Sequence, residues 1–248
     1  MEIEAVILYS TNDYRFFNTC ISNLVNCNIK CHVITYSHMW NGEVENKILL
    51  EKSQDNFKDI DLVDFYQIDW ISGSTSWYWE GLGRYLGTQQ VSQNCQYILY
   101  IDIDEIIDPI KFKNWIDKQE YKQYDALKLA CYWYWREPEY QAEDLEDSVI
   151  LFKTELAKTL PMQSGGRELY FNSGRKVIRF AESHDPMIHH YSWVRTKEQM
   201  LKKTNNWGHN NDRGDWVDLI EEEFSRPFNG HSFINGYKFK NVNNYFNI

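Results

Sequence analysis

Residues 97–105 read Tyr97-Ile98-Leu99-Tyr100-Ile101-Asp102-Ile103-Asp104-Glu105. A continuous apolar run of this kind is how a strand buried on both faces reads, and such strands belong to parallel sheets covered by helices. The run ends in three carboxylates. In an open parallel sheet the carboxyl ends of the strands form the ligand-binding rim, so the acidic end of this strand is the place to look for chemistry.

Upstream, the same alternation of strand and helix repeats. Ile3 to Tyr9 is a buried-strand pattern that stops at the turn Ser10-Thr11-Asn12-Asp13. Phe16, Phe17, Cys20, Ile21, Leu24 and Val25 then recur at helical spacing, with a preceding Asn or Asp to cap them. Cys31 to Tyr36 is a second strand, Val44 to about Asn56 a polar helix, and Val63 to Trp70 a third strand. Residues 76–93 form a helix with an aromatic start. This order implies an α/β fold with a mostly parallel sheet and right-handed crossovers.

Downstream of residue 110 the pattern changes. A helix over Lys111 to Lys118 leads to a strand over Ala126 to Trp135, then to several short strands up to about Trp193. Two helices follow, Thr196 to Trp207 and Trp216 to Phe224. No repeat or linker divides the chain. The reading is one domain over residues 1–228 in two halves, 1–108 and 109–228, with 229–248 as an extended C-terminal tail.

Composition narrows the function. The 248 residues are 43% hydrophobic and 25% charged, enough apolar material for a full core. A net charge of −10 argues against nucleic acid as a partner, because a phosphate backbone needs a Lys/Arg surface. Ten Trp and seventeen Tyr suit sugar rings and nucleobases, although the same residues fill cores. The five cysteines form no CxxC pair, and an odd number fits no closed disulfide framework. No signal-peptide pattern precedes the first strand, and no apolar run approaches the length of a membrane span. The expectation is a soluble, cytoplasmic chain without a transmembrane segment.

An Asp-x-Asp by itself is a common solvated turn. At the end of a doubly buried strand in the fourth βα unit it becomes a cation site, because Asp102 and Asp104 can face one ion from the same side. A Mg2+ or Mn2+ ion held by few protein ligands leaves coordination positions open for two phosphate oxygens.

A strand, Asp-x-Asp-Glu and an amphipathic helix, all after an N-terminal α/β half, resemble the GT-A fold glycosyltransferases, specifically the family 2-like group. The segment Ile188-His189-His190-Tyr191-Ser192-Trp193-Val194-Arg195, followed by Lys202, Lys203 and Asn206-Trp207-Gly208-His209, looks like the C-terminal part of family 2-type enzymes of viruses and bacteria. The resemblance covers roughly residues 1–210. It implies a GT-A, Rossmann-like, mostly parallel sheet flanked by helices, with a smaller acceptor-side second half. A host-cytoplasm setting follows if the source is viral.

The resemblance also assigns roles. Asp104 binds the metal, Asp102 contacts the ribose and the metal shell, and Glu105 supports the loop. A late His completes such metal sites. His189 and His190 are neighbours on one strand and face opposite sides, and the resemblance favours His190. Tyr9, Ser10 and Asn12 receive the base and ribose, or cap the following helix. Arg84 contacts base or phosphate. Lys203 and His209 close over the diphosphate, with Lys202 and Trp207 as neighbours of the same segment.

A base for the acceptor hydroxyl is sought in the second half. Asp147 is the first candidate, Glu146 the second and Asp185 a further one, while Trp133, Trp135 and Arg136 end the strand near the acceptor. The implied activity is transfer of one sugar from a nucleotide-diphosphate sugar to a glycan or other hydroxyl acceptor, with inversion. No Gln-x-x-Arg-Trp motif is present, which sets the chain apart from processive synthases. Two rivals are a non-catalytic carbohydrate-binding module of the same fold and a sugar nucleotidyltransferase. The second usually has a Gly-rich, basic loop after its first strand, and Ser10-Thr11-Asn12-Asp13-Tyr14-Arg15 is not Gly-rich.

Overall fold

The computed structural model describes residues 2–160, 162, 167, 177–180, 186–206 and 214–248. Its first half is the expected βα alternation: β1 (Ile3–Leu8), α1 (Tyr14–Asn26), β2 (Lys30–Tyr36), α2 (Lys47–Asp55), β3 (Val63–Ile68), α3 (Ser76–Gln90) and β4 (Tyr97–Asp102). After β4 come β5 (Glu105–Ile107), α4 (Pro109–Lys118), β6 (Ala126–Trp135), β7 (Glu137–Lys153), β8 (Val177–Phe180), β9 (Ile188–Trp193) and β10 (Phe239–Asn241). The strands form one sheet in the order β3-β2-β1-β4-β7-β6-β9-β5, with β8 beside β6 and β10 beside β7. The four N-terminal strands are parallel, and β7 and β5 run against their neighbours.

Strand alternation builds a core on each face. Ala5, Ile7, Leu99 and Ile101 point to the face covered by α1, where they meet Phe16, Phe17, Cys20, Ile21 and Leu24. Val6, Leu8, Ile98 and Tyr100 point to the other face, where α3 contributes Trp79. That helix lies very close to the sheet. A Cβ at Gly83 would fall 2.0 Å from the Tyr36 hydroxyl, and one at Gly87 would fall 2.4 Å from Val6 Cγ1. Glycine inside a helix costs about 1 kcal/mol relative to alanine, so both positions are set by packing. The close approach brings Arg84, between them, to the end of β4.

The second half departs from the pattern in one respect. The expectation is several short strands after Trp135, with the acidic candidates Glu146 and Asp147 among them. Instead β7 is a single strand of 17 residues that hairpins back on β6 and holds both candidates within it. Its first two-thirds carry few large apolar side chains and no regular alternation of buried and exposed residues, which hides the strand from a hydrophobicity reading. The C-terminal stretch, which the sequence reading leaves as a tail, joins the fold. Phe239–Asn241 pairs with Tyr140–Ala142 of β7, and the Tyr245 hydroxyl donates to Asp108 at 2.7 Å. No helix among the described residues is long and apolar enough to cross a membrane.

Candidate functional site

At the carboxyl ends of β1, β2 and β4 lies a cavity of about 450 Å3. Asp102 ends β4 and lines it. Its carboxylate accepts from Arg84 Nη2 at 3.1 Å and lies 3.5 Å from Arg167 Nη2. The chain then turns through buried Ile103, and Asp104 enters the same cavity with other partners. Asp104 Oδ2 accepts from Lys203 Nζ at 2.7 Å and Arg195 Nη2 at 3.2 Å, while Oδ1 lies 3.7 Å from His190 Nε2. The two aspartates thus share a cavity but are neutralised by separate sets of cations.

This division shows in their acidity. Burial raises both carboxyls, and the neighbouring cations outweigh it. Arg84 and Arg167 hold Asp102 below the usual carboxylate range against the opposing charge of Asp104. Lys203, His190 and Arg195 hold Asp104 well below it.

Glu105 does not face a ligand. It is fully buried and bidentate to Arg167 at 2.6 and 2.8 Å, and it accepts the backbone N–H of Asp102 at 2.7 Å. It fixes the turn and aims Arg167 at Asp102. The adjacent histidines face opposite ways. His189 is buried between rings, with Nδ1 2.7 Å from the Tyr134 hydroxyl and Tyr245 stacked at 4.6 Å. His190 lines the cavity, and its buried Nδ1 has no partner.

The N-terminal candidates all line the same cavity. Tyr9 commits its hydroxyl to Ser53 at 2.8 Å, and Ser10 Oγ accepts from the Asn12 N–H at 3.4 Å, so part of their role is local. The Asn12 carbonyl accepts from Arg195 at 3.2 Å, and Asp13 pairs with the same guanidinium. Arg195 therefore ties the first loop to Asp104. Of the two lysines on the helix Lys197–Asn206, Lys202 is exposed and Lys203 faces Asp104. Arg84 is fully buried. Its Nη2 serves Glu80 and Asp102, and its Nε and Nη1 have no acceptor.

The structure separates the two base candidates. Glu146 and Ser148 line the cavity; Asp147 turns to the other side of β7 and pairs with Lys128 at 3.4 Å. Burial raises the Glu146 carboxyl above the usual range, against the opposing influence of His190 and Tyr237. Trp133 lines the cavity as well. Trp135 and Arg136 turn instead toward Glu223 of the helix Trp216–Phe224, at 3.3 and 3.0 Å. Asp185, Trp207 and His209 lie outside the described residues.

Several site residues escape a sequence reading. Glu45 is 4% exposed, and its Oε2 accepts from the Thr11 N–H at 3.0 Å and from the Thr11 hydroxyl. Its Oε1 is buried without a partner and lines the cavity beside Tyr36, Met39 and Trp40. Arg167, Ser192, Asn206 and Asn235 also line the cavity. Only Ser192 and Asn206 fall in segments that the sequence marks.

No group of three or more His, Cys, Asp or Glu that could hold a metal ion occurs among the described residues. A smaller donor set is present. Asp104 Oδ1 carries no hydrogen bond from Lys203 or Arg195, both of which use Oδ2, and it faces His190 Nε2 across 3.7 Å. One carboxylate oxygen and one imidazole nitrogen fit Mn2+ or Mg2+ as two ligands of an octahedron completed by phosphate and water.

No family model matches the chain, and neither does any curated protein sequence. Among solved structures, residues 1–349 of S. aureus TarS are 14% identical with a TM-score of 0.48, covering 91% of this chain and 73% of that one. The same protein in complex with UDP-GlcNAc is 12% identical at a TM-score of 0.48, with 90% and 73% covered. A 4-diphosphocytidyl-2C-methyl-D-erythritol synthase from Anaerococcus prevotii is 9% identical at 0.44, with 85% and 96% covered.

Proposed function

We propose that this chain transfers one sugar from a nucleotide-diphosphate sugar to a hydroxyl acceptor, with inversion and with assistance from Mn2+ or Mg2+. One observation carries the reading. Along a single cavity, buried polar atoms without partners are graded from a base-like end, through a cationic middle, to an acidic and aromatic end.

At the first end, Glu45 Oε1 offers a lone buried acceptor in a slot walled by Tyr36, Met39 and Trp40, which suits an N–H edge of a flat base. In the middle, phosphate oxygens supply Arg84 Nε and Nη1 with the acceptors they lack, and Lys203 turns from Asp104 to the same phosphates. Asp102 stands beside this cluster, where it reaches the ribose. Asp104 Oδ1 and His190 Nε2 are the residues that would hold the divalent cation, and when bound it would supply positive charge to the departing diphosphate. At the far end Glu146 takes the acceptor proton as the hydroxyl oxygen bonds to the anomeric carbon. The nucleoside diphosphate leaves with the electron pair of the broken bond. Burial holds the Glu146 carboxyl above its usual range, which makes its carboxylate a stronger base.

We place the chain in the cytoplasm, where its five cysteines, all unpaired, stay as thiols. The test is release of nucleotide from UDP-, GDP- and CMP-sugars with and without Mn2+. One donor is turned over in a metal-dependent way, and Asp104→Asn stops it. Binding of a nucleotide without turnover of any donor, with or without acceptors, would favour the non-catalytic module instead. Release of pyrophosphate from a nucleoside triphosphate plus a sugar phosphate would favour the nucleotidyltransferase.

A further inference from the structure

The end of the cavity around Glu146 is built in part by the C-terminal segment. Strand β10 pairs with β7 and anchors a loop over residues 230–239, whose neck is closed by Phe239 N–H to the Gly230 carbonyl at 2.9 Å. Its tip is Asn235-Gly236. Gly236 has φ +74, a left-handed conformation that glycine adopts freely, and its N–H returns to the Ser232 carbonyl at 2.8 Å. This turn carries Asn235 into the cavity, where its Nδ2 is buried with no partner. Two residues on, Tyr237 sets its ring edge-on against Trp133 at 5.1 Å and lies near enough to Glu146 to draw its carboxyl downward against the effect of burial. Trp193 and Trp216, 5.9 Å apart, form the rest of the wall.

The charge of this end is also distinctive. The Lys and Arg side chains lining the cavity, among the described residues, are Arg84, Arg167 and Lys203. Each of them is paired with Asp102, Asp104 or Glu105. None belongs to β7, β9 or the C-terminal loop. An anionic acceptor would therefore meet the Glu146 carboxylate with no Lys or Arg of this end, among the described residues, to receive it, whereas an uncharged ring presents aliphatic faces to indoles and hydroxyls to amide and carboxylate groups.

We propose that Trp133, Trp193, Trp216 and Asn235 form a subsite for a neutral sugar ring, with Tyr237 positioning Glu146 over one of its hydroxyls. The identity of that hydroxyl as the reacting one rests on the transfer reading above. Asn235 Nδ2 donates to a second hydroxyl of the ring, which gives this buried amide the partner it lacks in the chain itself. The acceptor on this reading is an uncharged saccharide.

The test titrates the protein with p-nitrophenyl glucoside, galactoside, mannoside and N-acetylglucosaminide, and with glycerol 3-phosphate as the anionic comparator. Binding is followed by tryptophan fluorescence and saturation-transfer NMR, and UDP, GDP and CMP are titrated in parallel with Mn2+. At least one glycoside saturates and quenches the indoles, and glycerol 3-phosphate does not. Asn235→Ala weakens that glycoside about tenfold, the effect of one good hydrogen bond. Tyr237→Phe, which keeps the ring against Trp133, also weakens it, while both variants keep the wild-type melting temperature and nucleotide affinity. The subsite is overturned by equal binding of glycerol 3-phosphate, by wild-type glycoside affinity in Asn235→Ala, or by nucleotide binding with no glycoside binding. Glycoside binding without any nucleotide binding would instead sink the transfer reading and leave the subsite standing.

Discussion

The two ends of the central strands both bury charge, and they do so in opposite conditions. At the amino ends of β1 and β2, Glu4 and His32 are almost inaccessible and every polar atom has a partner. Glu4 Oε2 lies 2.7 Å from His32 Nε2 and accepts the Ser92 N–H at 3.1 Å, and Oε1 accepts from the Ser92 hydroxyl. His32 Nδ1 lies 3.4 Å from the Tyr66 hydroxyl. At the carboxyl ends, Arg84, Glu45 and His190 each leave a buried atom unpaired. An unsatisfied buried polar group costs about 1–3 kcal/mol, so several of them around one cavity mark a place where a ligand completes the bonding. The closed network serves stability, and the open one serves binding.

The largest effect expected from disturbing this contrast is at Asp104. Asp104→Asn removes the carboxylate that faces Lys203, Arg195 and His190, and transfer falls about 100- to 1,000-fold, the usual loss for one preorganised electrostatic group. Steady-state kinetics with the active donor checks it. Next is Glu146→Gln, with a loss of roughly 100-fold or more in kcat as the proton acceptor disappears, set beside Asp147→Asn, which leaves kcat unchanged because Asp147 faces Lys128. Burial raises the Glu146 carboxyl, so the acid limb of the rate profile lies above the ordinary glutamate value of 4.5 and the rate climbs with pH through that limb. A pH–rate profile that is flat from pH 5 upward would remove Glu146 as the base.

At the closed end, Glu4→Gln lowers stability by about 1–3 kcal/mol and leaves nucleotide affinity alone. Burial raises this carboxyl, but Ser92 and His32 bring it below its ordinary value of 4.5. Its contribution is therefore fully present above the unfolded value and is lost as pH falls through the folded one. Chemical denaturation at several pH values measures both. The smallest change is Arg84→Met. It weakens nucleotide binding about tenfold, near 1.4 kcal/mol, and shifts the melting temperature less than Glu4→Gln does. A larger thermal loss in Arg84→Met would mean that the open end is structural too.

Much of the fold is legible in the sequence, because Val6 and Ile7, or Ile98 and Leu99, announce a strand with two covered faces. The alternation of His189 and His190 follows from the same rule. The choice between Glu146 and Asp147 does not. Register shifts along the β6–β7 hairpin, one of them between Leu129 and Ala130, break the alternation there, and an acidic run has no hydrophobic phase to read. Glu45, Arg167, Asn235 and Tyr237 are invisible for another reason. Glu45 and Arg167 reach the cavity through contacts distant in sequence, to Thr11 and Glu105, while Asn235 and Tyr237 are brought there by the pairing of β10 with β7. Arg84 and Lys203 of the cationic middle are anticipated by the resemblance, but their division between Asp102 and Asp104, two residues apart, is not.

The most direct test of the open end is a thermal-shift titration with UDP, GDP and CMP, each with and without Mn2+, on wild type and Asp104→Asn. The account predicts that one nucleotide with Mn2+ stabilises the wild type, by about 2.7 kcal/mol at a hundredfold excess over Kd, and that Asp104→Asn loses the metal-dependent part. No stabilisation of the wild type by any nucleotide, with or without the metal, would contradict it.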